Sequence, residues 1–180
     1  MMMNRRRWLK VGVAGGAALG VAAWWVQRPS AFGRTPYTPA ANLPPAVWTP
    51  EAAALITALA PVVIGPACTG AASCQRVAEG VRVAVAALSP AAQRDVGELF
   101  MLLNIGPARG LLTGVWGSWS DASTKDIEAF LQRWRHSRLA LLQAGYHALH
   151  DLILAAWYAE PESWAAIGYP GPPALAPVAA

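Results

Sequence analysis

Between residues 49 and 158 the apolar side chains recur at intervals of three and four, and that spacing restricts the chain to helices packed on helices. Val77, Val81, Val85 and Leu88 mark one stripe, Val96, Leu99, Phe100 and Leu103 a second, and Ile127, Phe130, Leu131 and Trp134 a third. Each set falls on one face of a helix of 3.6 residues per turn. No stretch alternates with the period of a strand, and no Asn-Gly or Asp-Gly pair offers a tight hairpin.

The punctuation agrees. Thr49-Pro50-Glu51 supplies an N-cap hydroxyl, a proline at the first helical position and an acid in the first turn. That helix is predicted to falter near Pro61, leaving Val62, Val63 and Ile64 as an apolar exit. A second helix is predicted over Gln75 to Leu88, and a third opens at Ser89-Pro90 and ends around Asn104. Leu111, Leu112, Val115, Trp116 and Trp119 read as an apolar connector. Ser123 opens a fourth helix; a fifth, interrupted from it near Ser137, runs from Leu139 to Tyr158. Pro161-Glu162-Ser163-Trp164 reads as one short turn before Gly168-Tyr169-Pro170-Gly171-Pro172-Pro173. The expected fold is all-α, a small irregular bundle of about five helices over residues 49–160. Residues 32–48, rich in proline, read as a tether, and residues 161–180 as an extended strap. The strap either lies in another protein's surface or packs back on its own bundle.

Residues 1–31 read as an export leader. Asn4-Arg5-Arg6-Arg7-Trp8-Leu9-Lys10 matches the twin-arginine pattern Ser/Thr-Arg-Arg-x-Phe-Leu-Lys at most positions, with Arg5, Arg6, Trp8, Leu9 and Lys10 as its signal residues. The sixteen residues from Val11 to Val26 carry no charge and as a helix rise about 24 Å, short of a hydrocarbon core of about 30 Å. The run suits a signal better than a permanent span. An uncleaved anchor held by its positive flank and by Trp24 and Trp25 is the alternative. Either way the expected location is the periplasm, free or anchored to the inner membrane, reached through the twin-arginine translocase.

The formal charge of +4 does not signal nucleic acid. Six of the fourteen basic residues, and none of the ten acidic ones, precede residue 35; the rest carries eight basic against ten acidic side chains, a net of −2. No basic cluster remains to meet a run of phosphates. In an exported chain the close pair Cys68 and Cys74, with small residues between, is expected to form a disulfide, worth about 2 kcal/mol by loop entropy.

Chemistry-bearing residues are sparse. His147, His150 and Asp151 share a helix face at intervals of three and four, with His136 about three turns away. They offer a metal site only if another element adds a ligand, so the reading assigns neither metal nor catalytic residue, and a stand-alone metal-binding bundle is the alternative. No nucleophile elbow is present, and the glycines of residues 12–20 lie inside the leader with no strand before them. Nine tryptophans exceed what a small bundle readily buries and suggest anchors for a partner.

The carboxy-terminal half carries a resemblance. Phe130-Leu131-Gln132-Arg133-Trp134-Arg135-His136-Ser137-Arg138, Gly145-Tyr146-His147-Ala148-Leu149, Ala156-Trp157-Tyr158 and Trp164-Ala165-Ala166-Ile167-Gly168-Tyr169-Pro170-Gly171-Pro172 resemble the small subunit, subunit 3, of membrane-bound gluconate 2-dehydrogenase and related sugar and alcohol dehydrogenases. The resemblance implies a non-catalytic subunit that carries the export signal for a flavoprotein of the glucose-methanol-choline type. That partner holds FAD, and a cytochrome c subunit often passes the electrons onward. The aromatic docking face expected on this basis comprises Trp134, Tyr146, Trp157, Tyr158, Trp164, Tyr169, Pro170, Gly171 and Pro172.

Overall fold

The computed structural model describes residues 47–68 and 70–171, and among these the fold is all-α. Seven α-helices follow in order: α1 Pro50–Ile64, α2 Gly70–Ala86, α3 Pro90–Asn104, α4 Gly106–Thr113, α5 Thr124–Arg135, α6 Ala140–Ala159 and α7 Pro161–Ala166. Short 3-10 turns, Gly65–Ala67 and Trp119–Asp121, follow α1 and precede α5. The leader, the tether up to residue 46 and Pro172 lie outside the described residues.

The expected starts are where the caps predict. The hydroxyls of Thr49, Ser89 and Ser123 accept from the amides of Ala52, Ala92 and Asp126 at 3.3, 3.3 and 3.2 Å. Each satisfies a first-turn N–H that has no partner within its helix. Glu51, in the first turn of α1, has its carboxyl held below the usual range by a backbone N–H and by the Thr49 hydroxyl.

α1 is the central helix. Leu55, Ile56, Leu59 and Ala60 are fully buried, and α1 packs on α2, α3, α5, α6 and the turn at Trp119. Pro61 does not end it: the helix continues to Ile64. A mid-helix proline costs about 3 kcal/mol, and here Pro61 occupies the exposed face while Val62, Val63 and Ile64 pack against the core. Burial overrides the local penalty. The stretch Pro50–Ala67 is long and apolar enough, by length and composition, to cross a membrane; in this fold its apolar groups form the centre of the bundle.

Two further expectations are corrected. α2 begins at Gly70 rather than Gln75, so Cys74 sits inside a helix and not in a loop. Ala71, Ala72 and Ser73 read as loop for their small size, but alanine is the best helix former and extends α2 backward. The first half of the presumed connector is α4, a helix with Pro107 in its first turn and Gly114 as a left-handed C-cap at φ 76°. The described bundle thus matches the all-α expectation, with α4 added to the roughly five helices and the short turn at Pro161.

Inside α2 the Ser73 hydroxyl is buried with no hydrogen-bond partner. Ser73→Ala removes an uncompensated polar group and raises helix propensity. The substitution is expected to stabilise the domain by about 1 kcal/mol in urea unfolding; a loss of similar size would show that the hydroxyl is satisfied in solution.

Candidate functional site

Two of the three tryptophans on the expected docking face do not sit there. Trp134 and Trp157 are buried, at 2% and 6% exposure, and leave the expected docking face for the core. The Trp134 ring stands edge-on to Phe130 at 4.9 Å, and Phe130 meets Trp119 at 6.0 Å. Gly145 is the flat seat on which Trp134 rests: a Cβ there would stand 2.5 Å from the ring. Of the paired motifs that carry the family resemblance, these two therefore pack on each other.

The indole N–H groups explain much of the aromatic excess. Each of three caps the carboxy-terminal end of a helix that precedes it in the chain. Trp119 Nε1 donates to the Leu103 carbonyl at 3.2 Å, Trp134 Nε1 to Leu112 at 3.1 Å and Trp164 Nε1 to Tyr158 at 2.9 Å. Those carbonyls belong to the last turns of α3, α4 and α6, which have no amide partners within their helices. The Arg133 guanidinium does the same for Thr113, and the Gln93 side chain for Ala86 and Leu88, at 3.0 and 3.1 Å. A bundle of short helices has many such ends to satisfy.

Exposed aromatic side chains fall in two places, while Val83, Met101, Ile105 and Leu139 are exposed elsewhere. The first is the carboxy-terminal cap. Tyr158 and Tyr169 are 48% and 44% exposed and Ile167 is also exposed, around a half-buried Trp164. Tyr169 returns over Trp164, ring against ring at 5.5 Å, with its amide donating to the Trp164 carbonyl at 3.0 Å. A Cβ on Gly171 would stand 3.0 Å from the same indole. The segment through Gly171 thus folds back on its own α7 rather than extending away, while Pro170 stays exposed. Arg76 on α2 pairs with Glu162 on α7 and ties the cap to the bundle.

The second place, read from the sequence only as part of an apolar connector, is Leu111, 74% exposed, and Trp116, 70% exposed, beside α4. Trp116 lies against Gly110, where a Cβ would come within 2.4 Å of its ring. The readable signal was Gly110 three residues before a helix-ending Thr113-Gly114, which frees one flat face for an indole.

The histidine cluster is a surface feature. His147 and Asp151 are exposed and His150 half-buried, with His150 Nδ1 3.1 Å from Asp151 Oδ1. Tyr146, half-buried, lies between the two histidine rings at 5.2 and 5.4 Å. His150 and Tyr146 border a groove of about 380 Å³ with Val62, Leu131, Glu128 and Arg135. Among the described residues no three His, Cys, Asp or Glu side chains gather closely enough to hold a metal.

The Sγ atoms of Cys68 and Cys74, expected to pair, stand 3.0 Å apart with no covalent bond between them; a disulfide would be about 2.05 Å long. Burial, and then the adjoining Cys68 sulfur, push the Cys74 thiol up to about 11. No family model matches the chain, and comparison with the curated proteins and with the solved structures finds no match.

Proposed function

We propose that this chain is a non-catalytic accessory subunit that escorts a folded, FAD-containing dehydrogenase of the glucose-methanol-choline type through the twin-arginine pathway. It then stays bound to that enzyme in the periplasm. The observation that carries the proposal is the carboxy-terminal cap. From Ser163 to Gly171 the sequence holds no charge, yet Ile167, Tyr169 and the neighbouring Tyr158 are exposed to water. Interface centres are depleted of charge and enriched in Tyr and Trp, and the same residues carry the family resemblance. The back-folding of Tyr169 onto Trp164 favours binding, because a preordered aromatic surface loses little entropy when a partner covers it. The docking face is accordingly Tyr158, Trp164, Tyr169, Pro170 and Gly171.

Co-expression tests this. A tagged chain recovered from the periplasm together with a flavoprotein of this type is expected to bring down FAD absorbance. Tyr158→Ala combined with Tyr169→Ala is expected to lower that recovery about 30-fold, the effect of about 2 kcal/mol lost at the interface, with helicity unchanged. A chain that stays monomeric when the flavoprotein is supplied, or that turns over a substrate alone, overturns the proposal.

A further inference from the structure

The proposed function makes no use of the thiol pair at the corner between α1 and α2. Cys68 closes the 3-10 turn after α1, and Cys74 stands one turn into α2. Both are 7% exposed. Only Thr69, Gly70, Ala71, Ala72 and Ser73 separate them. We propose that Cys68 and Cys74 form an oxidation site that the folded protein closes without unfolding, by exchange with an external disulfide.

The fold itself brings the two sulfurs together. They meet at 3.0 Å while unbonded, held by a helix start and a turn whose backbone hydrogen bonds do not depend on a cross-link. The Cys68 amide donates to the Gly65 carbonyl at 3.1 Å, for example. Forming the bond asks for about 1 Å of combined sulfur movement. Soft-metal ligation is the other chemistry open to paired sulfurs, but among the described residues no third His, Cys, Asp or Glu gathers with them to complete a site.

Cys68 lies in the turn, beside the exposed Pro66 and Ala67, and is assigned the first attack. Its thiolate attacks one sulfur of an external disulfide and expels the other as a thiolate, leaving a mixed disulfide on Cys68. Cys74 gives up its proton, attacks the Cys68 sulfur and expels the second external thiolate. Two cysteine thiols have then lost two electrons and two protons, and one external disulfide has become two thiols. The closed ring staples the end of the central helix to the start of α2, two helices that pack on each other.

The test uses the full-length reduced chain, folded, in buffer without denaturant, with oxidised glutathione as the probe. Mass spectrometry is expected to show the loss of two hydrogens with no glutathione retained. The thermal midpoint is expected to rise by roughly 5–10 °C and to return on reduction. Cys74→Ser, lacking the resolving sulfur, is expected to hold one glutathione on Cys68. Oxidation that occurs only in denaturant, or a wild-type chain that retains glutathione, would overturn the proposal, as would a Cys74→Ser variant that takes up none.

Discussion

Trp134→Ala is expected to destabilise the domain by about 3–5 kcal/mol, and to do so before any partner is present. Three contributions converge on that side chain. Its ring is 2% exposed and packs edge-on against Phe130, so truncation opens a cavity beside the Phe130–Trp119 contact. Its indole N–H caps the Leu112 carbonyl, so truncation also strands a backbone acceptor at the end of α4. Finally, α6 approaches α5 closely only because Gly145 offers no Cβ to the ring. Trp134→Phe separates these effects: it keeps most of the apolar bulk, removes the donor, and should cost about 1–3 kcal/mol. Gly145→Ala approaches from the other side, driving a methyl into the ring at a cost of about 1–3 kcal/mol by overpacking. Urea unfolding of the isolated chain reads all three. If Trp134→Ala leaves stability unchanged while weakening partner recovery, Trp134 belongs to a docking face after all.

That experiment also marks where sequence reasoning stopped. The helix starts at Thr49, Ser89 and Ser123 were readable because a hydroxyl cap acts on an amide three residues away, and so were the buried stripes of α3 and α5, which are periodic within one element. The start of α2 is not legible in Gly70-Ala71-Ala72-Ser73 because it carries no apolar stripe, and a helix whose first turn holds only small residues looks like a loop. α4 was missed because eight residues flanked by glycines give too few repeats for periodicity to register. The roles of the tryptophans were hidden for a different reason. Leu103 and Trp119 are 16 residues apart, and Leu112 and Trp134 are 22. No local pattern tells an indole that caps a distant helix end from one awaiting a partner. The sulfurs of Cys68 and Cys74 were expected together and are together, but the bond between them was inferred from the compartment and not from the fold.

The largest functional effect is expected at the other end of the chain. Replacing Arg5 and Arg6 together by Lys should reduce the periplasmic yield to background, with the protein accumulating folded in the cytoplasm. The substitution preserves both positive charges, which is what gives it discriminating power. An ordinary amino-terminal anchor is oriented by the number of Lys and Arg residues on its cytoplasmic flank, and on that footing the variant would be exported as before. A receptor that reads the pair through planar, forked hydrogen bonds to carboxylates loses that geometry when ammonium groups replace guanidiniums. Arg7 occupies the variable position of the pattern, so Arg7→Lys serves as the matched control and should leave export intact. Fractionation with immunoblotting measures all three proteins. If the proposed function holds, the co-expressed flavoprotein should follow the same distribution, retained in the cytoplasm by the double variant and exported with the control. Periplasmic flavoprotein in the double-variant strain would separate the two proteins and leave this chain without the escort role.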